Sequence, residues 1–119
     1  MKKILVIEDN ENNLYMIKFL LEGKDYQVIE ARDGVEGVKL AAIEKPDLIL
    51  MDMQLPLLDG YEATKQIKAN EEICNIPIIA ITSYAMVGDR EKTLNVGCDG
   101  YIEKPINPET FLTEIERYL

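Results

Sequence analysis

Two hydrophobic rhythms alternate along this chain. Short apolar runs, Ile4-Leu5-Val6-Ile7, Tyr26-Gln27-Val28-Ile29, Leu48-Ile49-Leu50-Met51, Ile78-Ile79-Ala80-Ile81 and Tyr101-Ile102, are separated by longer segments with helical spacing. The first, third and fourth runs are almost continuously apolar and rich in branched residues, the signature of strands buried on both faces of a parallel sheet. Between the runs, Leu14, Ile17 and Leu21 form one helical stripe, and Val35, Val38 and Ala42 a second. Ala63 with Ile67, and Phe111 with Ile115 and Tyr118, predict further helices. Gly97 falls where a helix after the fourth strand would end in a left-handed cap, just past Leu94 and Val96. Strands alternating with helices predict an α/β fold, a doubly wound parallel sheet with right-handed crossovers. The pattern fills residues 1–119 as a single domain, with no linker, low-complexity tract or longer repeat.

In open parallel sheets the functional crevice lies beyond the carboxyl ends of the strands, so the residue after each run matters most. Glu8 and Asp9 follow the first run, Asp52 the third, Thr82 and Ser83 the fourth, and Lys104-Pro105 the fifth, past Glu103. Some of these have a plainer reading. Asp9 or Asn10 could cap the first helix, and Thr82 or Ser83 the helix after the fourth strand. The set as a whole points elsewhere. Three carboxylates crowded at one sheet edge repel one another unless a cation sits among them. Oxygen ligands in a partly open cleft suit Mg²⁺, which takes one or two carboxylates and keeps places for water and a phosphoryl oxygen. Lys104 can neutralise a phosphoryl oxygen and the Thr82 hydroxyl can donate to another. Phosphoryl transfer needs little beyond such positioning and charge neutralisation.

Composition narrows the field further. At 119 residues and 47% hydrophobic content the chain supports one substantial core. Its 13 basic against 22 acidic residues leave a net charge of −9, which argues against nucleic acid and against anionic membrane surfaces as partners. No apolar run approaches a spanning length, and Met1-Lys2-Lys3 leads straight into a strand and not into a secretory signal. Cys74 and Cys98 form no CxxC pair and read as packing residues of a reducing, cytoplasmic compartment. Histidine is absent, which removes Ser-His-Asp triads, histidine metal sites and any phosphohistidine on this chain.

Taken in order, Leu5-Val6-Ile7-Glu8-Asp9-Asn10, Asp47-Leu48-Ile49-Leu50-Met51-Asp52-Met53-Gln54-Leu55-Pro56 with Asp59-Gly60, Ile81-Thr82-Ser83, and Tyr101-Ile102-Glu103-Lys104-Pro105 resemble the receiver domains of two-component signalling, across essentially the whole chain. The resemblance implies a flavodoxin-like sheet of order 2-1-3-4-5 with five helices. It implies that Asp52 accepts a phosphoryl group from a phosphohistidine on a sensor histidine kinase or histidine phosphotransfer protein. Asp9, Asp52 and the Met53 backbone carbonyl would hold Mg²⁺, with Glu8 acting through water, and Thr82 and Lys104 would grip the phosphoryl oxygens. Tyr101 matches the aromatic switch position that follows Thr82, although an aromatic on an edge strand also serves plain packing. A cis Lys104-Pro105 peptide is implied too. The protein would be a switch that catalyses its own phosphorylation and slow dephosphorylation, not an enzyme acting on other substrates. Phosphorylation would reshape the face of the fourth helix, fifth strand and fifth helix, from Met86 to Lys104, toward a separate protein target. The molecule itself would be a monomer or weak dimer. Asp9-Asn10-Glu11-Asn12-Asn13 and Ala85-Met86-Val87-Gly88-Asp89-Arg90-Glu91-Lys92 look like DivK-like single-domain regulators and the receivers of hybrid sensor kinases.

Two other classes compete. A phosphatase of the haloacid-dehalogenase type shares the aspartyl phosphate, Mg²⁺, hydroxyl and lysine, but places its nucleophile in a DxD motif after the first strand. Asp9-Asn10-Glu11 does not fit that motif, and mapping the phosphoryl group to Asp9 or Asp52 discriminates the two. A flavodoxin-like FMN carrier would need its phosphate where Glu8 and Asp9 stand and would be repelled. A start Met directly before the first strand favours a free-standing regulator over a receiver cut from a hybrid kinase, and an expression product could imitate it.

Overall fold

The computed structural model describes residues 1–83 and 89–119. Residues 84–88, which include the Met86 start of the anticipated output face, lie outside the described residues. Strands β1 (Lys3–Ile7), β2 (Gln27–Ala31), β3 (Leu48–Asp52), β4 (Ile78–Thr82) and β5 (Gly100–Glu103) alternate with helices α1 (Glu11–Glu22), α2 (Gly34–Glu44), α3 (Gly60–Ala69), α4 (Asp89–Asn95) and α5 (Phe111–Glu116). All strand pairs are parallel, in the order β2-β1-β3-β4-β5, the flavodoxin-like arrangement anticipated above.

Strand periodicity divides the core in two. Ile4 and Val6, Leu48 and Leu50, and Ile79 and Ile81 face the layer of α1 and α5, where they meet Leu14, Ile17, Leu21, Phe111 and Ile115. Leu5 and Ile7, Ile49 and Met51, and Ile78 and Ala80 face the other way, toward Ala41, Ala63 and Ile67. Both faces of the central parts of β1, β3 and β4 are therefore buried, which explains their unbroken apolar runs. β2 is an edge strand that starts one residue later and ends two residues later than the sequence reading. Asp25 turns with φ 64° and the Tyr26 N–H still bonds to the Leu21 carbonyl, so pairing starts at Gln27, whose N–H reaches the Lys2 carbonyl at 2.8 Å. It also runs on through Glu30, which pairs with Lys18 and Arg32 at the sheet edge.

The stripe expected on α2 is shifted. Gly34, Gly37 and Ala41 form its buried face, whereas Val35 is 55% exposed and Val38 and Ala42 are half-buried. The cause is close approach: a Cβ on Gly34 would lie 1.8 Å from the Leu58 carbonyl oxygen, and one on Gly37 would lie 2.5 Å from Ile7 Cδ1. A hydrophobicity pattern cannot register a face made of absent side chains. Gly34→Ala is accordingly expected to destabilise the fold by about 2 kcal/mol, against the gain of about 1 kcal/mol that Gly to Ala brings to an unobstructed helix. Denaturant midpoints check it, and a more stable variant would contradict the packing described.

Helix boundaries follow local chemistry. The carboxylates of Asp33 and Asp59 accept from the Glu36 and Glu62 N–H groups at 2.7 and 2.9 Å, capping α2 and α3. α4 ends in a Schellman arrangement at Gly97 (φ 114°), with the Cys98 N–H bonded to the Thr93 carbonyl and the Gly97 N–H to that of Leu94. Neither cysteine is bridged; burial pushes the Cys98 thiol up to about 11, so it packs and does not react.

Candidate functional site

Continuing each strand by one alternation step builds the site. Glu8 follows Val6, Asp52 follows Leu50 and Lys104 follows Ile102, so the three side chains turn to the same side of the sheet edge. Because β1, β3 and β4 are neighbours, with Ile7 opposite Met51 and Asp52 opposite Ile81, residues far apart in sequence end side by side. The Lys104 N–H donates to the Thr82 carbonyl at 2.8 Å, extending the β4–β5 ladder to the point where lysine leaves the sheet. The next peptide, Lys104-Pro105, is cis.

Two of the carboxylates are buried. Glu8 and Asp52 are 1% and 2% exposed, Thr82 is 3% exposed, and Asp9 is open to solvent. Lys104 Nζ donates to Glu8 Oε1 and Oε2 at 3.0 and 3.2 Å and to Asp52 Oδ2 at 3.3 Å. Burial, countered by the Gln54 N–H that donates to Asp52 Oδ1 at 3.0 Å and reinforced by the proximity of Glu8, pushes the Asp52 carboxyl up to about 6. Lys104 moves up as well: burial acts against its charge, and the Glu8 and Asp52 carboxylates outweigh it. The site therefore holds more negative charge than its lysine neutralises. One carboxylate oxygen each of Glu8, Asp9 and Asp52 lie within 4.8 Å of one another, an oxygen donor set that fits a hard divalent cation.

The structure decides between the two candidate caps of α1, because Asn10 Oδ1 accepts the Asn13 N–H at 3.0 Å. Asp9 is left for other work. The corresponding cap reading for Thr82 and Ser83 depends on residues 84–88, outside the described residues; the Ser83 hydroxyl donates to Gln54 Oε1 at 2.7 Å. The Met53 carbonyl accepts the Gly60 N–H at 3.3 Å, and a Cβ on Gly60 would come within 2.5 Å of the Asp52 carbonyl oxygen, so only glycine lets α3 start this close. Tyr101 is half-buried on β5, where it lines a cleft of about 160 Å³ with Arg90, Arg117 and Tyr118. Two contributors escaped the sequence reading. Gln54 acts through its backbone N–H, which leaves no sequence signal. Asn13 donates from Nδ2 to Glu8 Oε1 at 3.1 Å, and its place three residues past the Asn10 cap is the only hint.

The sequence pattern of the response regulator receiver domain matches residues 4–116. The polar-differentiation response regulator DivK of Brucella anthropi is 44% identical over 118 residues, which cover 99% of this chain and 96% of that protein. DivK of Brucella ovis is 45% identical over the same share. Among solved structures, the receiver domain of sensor histidine kinase PA1611 from Pseudomonas aeruginosa, with magnesium coordinated in its active-site cleft, superimposes with a TM-score of 0.91 at 39% identity, covering 98% of this chain and 96% of that one. The chemotaxis protein CheY4 of Vibrio cholerae gives 0.94 at 29% identity, covering 100% and 99%. A shared pattern over nearly every residue and a shared fold lead to one conclusion: the chain belongs to the response regulator receiver domain family, the phosphoacceptor switches of two-component signalling.

Proposed function

We propose that Asp52 is the phosphoryl acceptor, charged from a phosphohistidine on a sensor histidine kinase or histidine phosphotransfer protein. The observation that carries this reading is a buried carboxylate held at a sheet edge with Glu8 on one side and the Lys104 ammonium at 3.3 Å. Glu8 through a water, Asp9, Asp52 and the Met53 carbonyl would hold Mg²⁺, which would supply charge neutralisation on the phosphoryl oxygens. Above about pH 6 Asp52 is mostly ionised and nucleophilic. Its oxygen bonds to phosphorus as the bond from phosphorus to the histidine nitrogen breaks, and the departing imidazole takes a proton. Lys104 already stands beside the Asp52 carboxylate and needs only a small shift to meet the new anion. Thr82, at the end of β4, donates its hydroxyl to a second phosphoryl oxygen.

The readout belongs to α4, β5 and α5, where Tyr101 lines a cleft together with Arg90 and Arg117. Lys92 of α4 also stands over the Tyr61 ring of α3, 4.1 Å from its centroid, so a shift of α4 is felt on both flanks. The net charge of −9 favours a protein target over DNA. Among the described residues no helix is long and apolar enough to cross a membrane.

Incubation with acetyl phosphate and Mg²⁺, followed by chemical trapping of the acyl phosphate and peptide mapping, tests the assignment. The expected result is stoichiometric label on Asp52, and none when EDTA replaces the metal. Label on Asp9 would instead support the phosphatase-type reading.

A further inference from the structure

Asn13 occupies the helix position from which a longer polar side chain would reach back to the cap residue's own N–H. Here it does something different. Its N–H is taken by Asn10 Oδ1 at 3.0 Å, and its side-chain amide donates to Glu8 Oε1 at 3.1 Å. The start of α1 and the Glu8 carboxylate are thus joined by one residue. Glu8 has a rotatable bond more than an aspartate at the same place, and it is 1% exposed, so its orientation has to be imposed by neighbours. Among the described residues, Lys104 and Asn13 donate to its carboxylate.

These two donors differ in kind. Lys104 is a flexible cation shared with Asp52, and a phosphoryl group on Asp52 would draw it away from Glu8. Asn13 is neutral and anchored by the helix backbone, so an incoming anion has no comparable hold on it. We propose that Asn13 is a positioning residue: it holds the Glu8 carboxylate in place for the divalent cation in the unphosphorylated protein, and keeps doing so once Lys104 is engaged elsewhere. This rests on the reading of Glu8, Asp9 and Asp52 as the metal site. Partners that orient a metal-side carboxylate are worth about 10- to 100-fold in metal affinity, and Asn13 acts on a carboxylate that reaches the cation through water, so the low end applies.

The test is Mg²⁺ binding measured by calorimetry on the unphosphorylated protein, with no turnover involved. Asn13→Leu, which keeps the backbone N–H for the Asn10 cap, is expected to weaken Mg²⁺ binding about tenfold. In a Glu8→Gln background the same change is expected to add nothing, the signature of action through Glu8. Asn13→Ala serves if the leucine variant does not fold. Unaltered affinity in Asn13→Leu, with Glu8→Gln weakened, overturns the role of Asn13 and leaves the metal site standing. Equal losses in both backgrounds overturn it as well, since Asn13 would then act on the helix start alone. Unchanged Mg²⁺ affinity in Glu8→Gln, Asp9→Asn and Asp52→Asn together removes the metal site and this proposal with it.

Discussion

An Asp52→Asn protein is expected to take up no phosphoryl group from acetyl phosphate and Mg²⁺, yet in EDTA near neutral pH to be more stable than its parent by about 2 kcal/mol. Both effects have one origin. Burial pushes the Asp52 carboxyl up to about 6 from an ordinary value of 3.8, a shift worth about 3 kcal/mol against the ionised form. Asparagine keeps the oxygen that accepts the Gln54 N–H and drops the charge; it forfeits the Lys104 contact, which Glu8 retains, so part of the gain is lost. The sign of the pH dependence follows. A carboxyl whose folded value is raised favours folding when protonated, so that contribution is complete below the ordinary value near 4 and is lost as pH rises through about 6. The advantage of the asparagine variant is therefore full above about pH 6 and fades toward pH 4. Denaturant midpoints across that window measure it. Label at the parental rate would remove Asp52 as acceptor, and a variant less stable at neutral pH would mean that the lysine contact outweighs desolvation. Asp9→Asn should show a smaller change in the same direction, because Asp9 is exposed and does not cap α1.

Lys104→Met is expected to have the opposite effect on stability. Among the described residues Lys104 is the cation bonded to both Glu8 and Asp52, and methionine preserves its bulk while removing the charge. Removing one partner of a buried ion pair costs about 3–5 kcal/mol, and relief by protonation of Asp52 lowers the expected loss here to about 3 kcal/mol in EDTA near neutral pH. That loss should shrink as the solution is acidified and Asp52 takes its proton. Millimolar Mg²⁺ should restore more stability to Lys104→Met than to the parent, since the cation then meets two uncompensated carboxylates. Phosphorylation by acetyl phosphate should also slow steeply for want of the ammonium at the phosphoryl oxygens. A variant as stable as the parent in EDTA would show that the Lys104 contacts contribute little to holding the site.

Much of this was legible from residue order. Continuous apolar runs at Ile4–Ile7, Leu48–Met51 and Ile78–Ile81 determined that the central strands are buried on both faces, and strand periodicity then put Glu8, Asp52, Thr82 and Lys104 at one edge. Tertiary structure decided what a one-dimensional pattern cannot carry. The buried face of α2 is lined by Gly34 and Gly37, because backbone and neighbouring side chains fill the space where side chains would be. Only packing shows that Asn10 caps α1 and so releases Asp9, since both residues have capping chemistry. The pairing of Lys104 with Glu8 as well as Asp52, the Gln54 N–H on Asp52, and the reach of Asn13 to Glu8 depend on distances of a few ångströms between side chains and backbone groups. Hydrophobic periodicity specifies which way a residue faces; it does not specify which of several polar neighbours it meets, and the charge balance of the site is set by those meetings.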